Sequence, residues 1–233
     1  MSRVLFWDFD GPLGSDPENW SGVLVRVIKE LDPETRVTVE KIAPHLRTGY
    51  PWHSPQHSHL HIKTADAWWE NIFHLLEVAA TKAGLPRETA VHAARRVRNE
   101  YLNPARFTVF ADVRPALSHA KAHGWRNVVL SNHTPELGEL VCALGLDDFI
   151  EQTITSAQVG YEKPHVELFR RALTMVGGAT EAWMISDNLL ADVLGAQEAG
   201  LSAVLVRRPS DSQVLYSEDL LGAVALILKG NPS

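Results

Sequence analysis

The chain has 233 residues, 45% of them hydrophobic, which is enough for one large domain or for a domain carrying an insertion. Its net charge of −6 argues against a nucleic-acid partner, which draws a basic surplus. No apolar run approaches the roughly 20 residues of a membrane helix, the N-terminus lacks the pattern of an export signal, and Cys142 is the single cysteine. A soluble cytoplasmic protein with no membrane and no nucleic-acid partner is therefore expected.

The first predicted element is the strand "VLFW" (4–7), which ends in Asp8, Phe9, Asp10 and Gly11. Helical periodicity follows. Trp20, Val23, Leu24, Val27, Ile28 and Leu31 share one face, and Trp69, Ile72, Phe73, Leu76 and Ala80 form a second stripe. A third helix is expected from Pro86 to Leu102, with Pro86 in its first turn and Pro104 beyond its end. Arg95, Arg96 and Arg98 read as its solvated face. The segment "TGYPWHSPQHSHLHIKT" (48–64) is an irregular loop between these helices.

Strands and helices then alternate. "NVVL" (127–130), "AWMI" (182–185) and "AVLV" (203–206) are short, apolar and mostly separated by helical patterns. That is the mark of an α/β fold with a parallel sheet covered on both faces. The domain boundaries expected are a core of 1–14 and 105–233 and a helical insertion of 15–104. In such sheets ligands sit at the carboxyl ends of the strands. Three strands end in polar residues there: Asp8 and Asp10, then Ser131 and Asn132, then Ser186 and Asp187. Arg207, Arg208 and Pro209, after the fourth, read as an exit loop.

Asp8 and Asp10, two residues apart at a strand end, are expected to point to one side. Two facing carboxylates repel unless a cation lies between them or one is protonated. Such a pair can divide into nucleophile and proton carrier, or hold Mg²⁺, while Gly11 lets the backbone turn close to a ligand. The plain alternative is an Asp-Gly turn. Ser131 and Asn132 offer a hydroxyl and backbone N–H groups to an anion, or simply cap the helix that "TPEL" begins. Lys163, in "GYEKPHVELF", stands before a helix, where its charge opposes the dipole unless it reaches an anion. In "SDNLLAD", Asp187 lies at a strand tip and Asp192 five residues on, with an N-cap as the alternative for Asp187.

Taken in order, these segments resemble the four motifs of the haloacid dehalogenase (HAD) superfamily of hydrolases: "FWDFDGP", "VVLSN", "GYEKPHVELF" and "WMISDNLLAD". The resemblance spans nearly the whole chain, and the helical insertion looks like the superfamily's type-1 cap. Pro12 stands where Thr is usual and Ser186 where Gly is usual. The resemblance implies a Rossmann-like, doubly wound sheet with an inserted α-helical cap. It implies a Mg²⁺-dependent phosphatase acting on a small phosphorylated metabolite. Asp8 would be the nucleophile and Asp10 the proton carrier, its pKa raised by burial beside Asp8. Asp8, the Asp10 carbonyl and Asp187 would hold the metal. Ser131, Asn132 and Lys163 would hold the phosphoryl oxygens, with Asn188 and Asp192 orienting metal water or Lys163.

A 2-haloacid dehalogenase and a phosphomutase of the same superfamily are the alternatives, and a non-catalytic binding protein on this scaffold is the rival of another class. His53, His57, His59 and His61 in the cap loop are read as substrate-contacting, with a transition-metal site as the second reading. Substrate identity and oligomeric state are not legible.

Overall fold

The four apolar runs are neighbouring strands of one parallel sheet. The computed structural model describes residues 2–210 and 212–230. In chain order the strands are β1 (Arg3–Trp7), β2 (Gly14–Ser15), β3 (Thr108–Val109), β4 (Trp125–Ser131), β5 (Gln152–Thr155), β6 (Glu181–Ser186), β7 (Ser202–Val206) and β8 (Tyr216–Ser217). The helices are α1 (Trp20–Leu31), α2 (Val39–Ile42), α3 (Ala65–Lys82), α4 (Arg87–Tyr101), α5 (Val113–Ala122), α6 (Leu137–Ala143), α7 (Ser156–Val159), α8 (Val166–Met175), α9 (Gly195–Glu198) and α10 (Leu220–Gly230).

Among the described residues the main sheet has six strands in the order β5-β4-β1-β6-β7-β8, every pairing parallel. β1 lies inside it and is covered on both faces, so Val4 through Trp7 are fully buried and the strand is continuously apolar. On one face Val4, Phe6, Val128, Leu130 and Met184 pack with Leu168, Phe169 and Ala172 of α8 and Ala196 of α9. α5 and α10 pack together, α5 against β4 and α10 against β7 and β8. The sheet is doubly wound, as expected. β5 and β8 were not legible, because three of the four residues of QTIT are polar and YS has only two residues.

Asn127 is a polar residue buried in the middle of β4. It accepts from Trp7 Nε1 at 3.1 Å and donates to the Leu117 and Phe149 carbonyls at 2.9 and 3.1 Å. A fully paired amide of this kind avoids the cost of an unmet buried polar group.

The chain divides into two compact units. The core unit runs through Ser15, takes in Pro55–Leu60 and resumes at Thr108; the helical unit is Asp16–Ser54 and His61–Phe107. The sequence reading placed the helical segment at 15–104 without a break. The difference at 55–60 has a physical cause: the His59 N–H donates to the Gly160 carbonyl at 2.7 Å, and Gly160, at φ +83°, leaves the space where Leu60 lies. In the core, β2 and β3 pair antiparallel. In the helical unit, Arg106 pairs with Asp16 at 3.3 Å and Glu18 at 2.7 Å, which ties its two ends together.

In the helical unit α1 and α3 both pack on α4. The Asn19 side chain caps α1 by accepting from the Gly22 N–H, and Val23, Leu24, Val27 and Ile28 are buried as the periodicity predicts. Pro86 is the cap of α4 rather than part of its first turn, and the helix begins at Arg87. The arginines of α4 are not merely solvated. Arg95 forks onto Glu70, Arg96 reaches Glu30 and Arg98 reaches Asp66, three ion pairs that bridge neighbouring helices.

Candidate active site

Parallel register sets the site. Trp7 stands level with Val129 on one side and Ile185 on the other, so the next residues of all three strands emerge at the same edge. Asp8 continues β1, its N–H donating to the Ile185 carbonyl at 3.0 Å. The residue is buried, its side chain 12% exposed. Lys163 Nζ donates to Asp8 Oδ1 at 2.9 Å and also to Asp192 Oδ1. Lys163 and Asp192 are each 2% exposed. Burial opposes the charge on Lys163, but Asp192 and Asp8 more than offset it and hold the ammonium above its ordinary pKa. Burial also pushes the Asp192 carboxyl up, against the pull of Lys163.

The structure brings Asp8, Lys163, Ser186, Asp187 and Asp192 into one cluster. Gly11 makes this possible. Its φ is +99°, and a Cβ there would lie within 2.6 Å of Asp187 Cγ and Oδ1. The Asp187 carboxyl is pushed up by burial and by Asp8, with Arg208 pulling the other way.

Several expectations are corrected. Asp10 does not share the burial of Asp8: its side chain is 51% exposed. Phe9 takes the fully buried position, and Asp10 enters a tight turn in which it bridges to Gly14. The Asn132 side chain braces Lys163, accepting from the Lys163 N–H at 2.8 Å and donating to its carbonyl at 3.2 Å, a contact that does not involve the Asn132 N–H expected to meet phosphoryl oxygens. Ser131 is buried at the tip of β4, but neither it nor Asn132 caps a helix, because α6 begins only at Leu137 after Glu136. Asn188, not Asp187, is the N-cap of the π-helical turn Leu189–Leu194, accepting from the Ala191 N–H at 3.0 Å. Asp192 alone of the two meets Lys163. The four loop histidines do not form a metal centre: among the described residues no group of three or more His, Cys, Asp or Glu is arranged to hold an ion. Residues 51–62 form turns and a short 3-10 helix, not the extended segment that would align them.

Sequence reasoning missed four features. His133 is 4% exposed, and its Nε2 lies 3.9 Å from Asp10 Oδ2. Burial pulls its pKa down to about 4, so the imidazole is neutral. Ser186 places its hydroxyl 3.4 Å from Asp8 Oδ2, so the departure from Gly adds a polar contact to the carboxylate. Arg208 pairs with Asp187, and Arg207 holds the Pro12 carbonyl; neither belongs to a mere exit loop. The adjacent arginines were the only available signal. Glu162 is 1% exposed beside Lys163, and burial raises its pKa to about 7.

The donor set fits a hard divalent cation. Asp8 and Asp187 are two buried carboxylates that repel across the cluster, and Mg²⁺ takes one or two carboxylates, carbonyls and water rather than a full protein cage. Carboxylate oxygens are hard donors, which suit that class of ion.

The model of the haloacid dehalogenase-like hydrolase family matches residues 3–200. Over 99 residues the chain is 36% identical to the glyceraldehyde 3-phosphate phosphatase of Methanothermobacter thermautotrophicus, covering 42% of this chain and 44% of that protein. Over 157 residues it is 29% identical to haloacid dehalogenase-like hydrolase domain-containing protein 3 of Mus musculus, covering 65% and 61%. The chain thus spans about half the length of the curated relatives it matches. Among solved structures, a 2-haloacid dehalogenase from Pseudomonas syringae superposes with a TM-score of 0.68 at 19% identity, covering 99% and 100% of the two chains. A HAD hydrolase of Bacillus subtilis bound to magnesium superposes at 0.70 and 17% identity, covering 97% and 98%. At these identities the structural likeness is one of fold. The family match, by contrast, runs from the first strand past the π-helical turn that carries Asp192. The chain belongs to the haloacid dehalogenase-like hydrolase family.

Proposed function

We propose that the protein is a Mg²⁺-dependent phosphatase that hydrolyses a small phosphate monoester through an aspartyl-phosphate on Asp8. The observation that carries this reading is the buried Asp8 carboxylate held at 2.9 Å by Lys163, itself braced by Asp192. A charged lysine beside a carboxylate nucleophile suits an anionic substrate, because it offsets the charge that the phosphoryl group brings.

In this mechanism Lys163 fixes Oδ1 of Asp8 and the Ser186 hydroxyl approaches Oδ2, so the carboxylate is oriented before substrate arrives. Asp8 attacks phosphorus, and the P–O bond to the leaving group breaks. Asp10, half-exposed at the turn, protonates the departing alkoxide and then takes a proton from the water that cleaves the acyl phosphate. Asn132 acts on the reaction by fixing the Lys163 backbone, and Ser131, buried at the tip of β4, is assigned to the phosphoryl oxygens. Mg²⁺, held by the Asp8 and Asp187 carboxylates and the Asp10 carbonyl, would supply charge neutralisation of the transferring oxygens. The neighbouring charge of Asp187 weighs against a dehalogenase, whose attack on carbon needs no cation. Relatives named for glyceraldehyde 3-phosphate, phosphoserine and ribulose 1,5-bisphosphate support a small phosphorylated metabolite. One exposed cysteine and no disulfide suit a cytoplasmic setting.

The test is a panel of phosphorylated metabolites assayed with Mg²⁺ and with chelator, for the wild type and Asp8→Asn. Turnover is expected only with Mg²⁺, and Asp8→Asn should reduce it by at least about 10⁴-fold, because an amide is a poor nucleophile. Near-normal phosphatase activity in Asp8→Asn overturns the mechanism, and chloride release from a 2-haloacid without metal replaces it with dehalogenation.

A further inference from the structure

The loop after β7 carries two consecutive arginines with different tasks. Arg207 adopts φ +63°, a left-handed conformation unusual for a side-chain-bearing residue. Its guanidinium donates to the Pro12 carbonyl at 3.1 and 2.8 Å and to Asp112 Oδ1 at 2.8 Å, and it stacks on Phe110 at 4.4 Å. These interactions fix the loop against the turn that follows the Asp8 strand. The next residue, Arg208, is thereby delivered to the rim of the carboxylate cluster. Its Nε lies 2.8 Å from Asp187 Oδ2.

The two partners differ in setting. The Asp187 side chain is 8% exposed, whereas that of Arg208 is 75% exposed. The carboxylate is thus a fixed part of the core, and the guanidinium is the movable partner. Gly11 also lies close against this carboxylate, so little freedom remains for Asp187 itself. Three carboxylates, Asp8, Asp187 and Asp192, here face two cationic side chains, Lys163 and Arg208. Lys163 is buried and committed to Asp8 and Asp192. Arg208 is the cation at the solvent edge, and it engages the carboxylate that the proposed metal would share.

We propose that Arg208 is a positioning residue that sets the cation affinity of the site, its guanidinium and a divalent cation competing for the charge of Asp187. This rests on the metal-dependent reading of the site. Guanidinium and cation repel, so Arg208 weakens metal binding while it is paired. Cation binding in turn releases Arg208 toward solvent. Removing the guanidinium leaves one more uncompensated negative charge and should tighten binding. A merely structural arginine would act with the opposite sign, because its loss would loosen Asp187 and weaken the site.

The experiment is calorimetric titration of the full chain with Mg²⁺, without substrate, for the wild type, Arg208→Ala and Arg208→Lys, with circular dichroism to verify folding. Arg208→Ala is expected to bind Mg²⁺ roughly tenfold more tightly, by the Coulomb interaction of a unit charge with a divalent ion at short range near a protein surface. Arg208→Lys, which keeps the charge, should stay within about threefold of the wild type, and added salt should shrink the difference. Unchanged or weaker binding in Arg208→Ala, with a wild type that binds, overturns the role of Arg208 and leaves the metal reading intact. No Mg²⁺ binding by any of the three chains overturns both.

Discussion

At the residue scale the site depends on a glycine as much as on its acids. Gly11 turns the chain at φ +99° directly against the Asp187 carboxylate. Gly11→Ala would add a strained backbone and a methyl group in the space of that carboxylate. The expected outcome is a fall in turnover of at least about 100-fold with the far-ultraviolet circular dichroism unchanged, since displacing a site group by about 1 Å has that effect. Activity within a few-fold of wild type would mean that Asp187 can relax without consequence. Asp8, Lys163, Asp187 and Asp192 were legible because each is a charged residue next to an apolar run or a helix start, where solvation alone gives no reason for it. Asp10 was misread as buried. Alternation places i and i+2 on one side only while the strand continues, and the strand ends at Trp7. Glu162 and His133 gave no signal, because burial of a polar side chain in a loop is decided by what packs over it.

At the element scale, apolar runs flanked by helical patterns identified the strands that build the site, and their register did the rest. What escaped were short or polar strands and the hold that one loop exerts on another. Arg207 is the clearest case. It joins the loop after β7 to Pro12 after β1 and to Asp112, which also accepts from the Leu220 N–H at the start of α10. Pro12 removes an N–H, yet its carbonyl is the acceptor Arg207 uses, so the departure from Thr leaves this fastening in place. Arg207→Ala removes the charged hydrogen bonds of a side chain only 22% exposed and leaves Asp112 without its cation. A loss of about 2 kcal/mol is expected, as a lower unfolding midpoint in urea with an unchanged slope. An unchanged midpoint would show that Asp112 and the Pro12 carbonyl are equally well served by water, and that the fastening adds nothing to stability.

At the scale of the whole molecule, stability should depend on pH through a carboxyl that takes no part in the proposed reaction. Glu162 is buried, one of its oxygens has no hydrogen-bond partner, and the Ser156 hydroxyl bonds its side chain. Burial raises its folded-state pKa from the ordinary 4.5 to about 7. Below pH 4.5 the group is protonated in both the folded and the unfolded chain, and its ionisation does not affect stability. Between these values the folded chain holds a proton that the unfolded chain has released, so stability falls as pH rises, and the loss is complete above about 7. The size of the full effect is on the order of 3 kcal/mol, from 1.36 kcal/mol per pKa unit. Glu162→Gln removes the titration but leaves an amide in the same unpaired position, which adds an offset independent of pH. The informative quantity is therefore the change in the difference between variant and wild type. Measured by urea unfolding at about pH 5 and about pH 8, Glu162→Gln should gain on wild type by about 2 kcal/mol across that interval. The Asp192 titration is common to both chains and cancels in the comparison. Parallel pH profiles for the two chains would show that Glu162 is already ionised in the folded protein at the lower pH, its charge met by Lys163 rather than suppressed by burial.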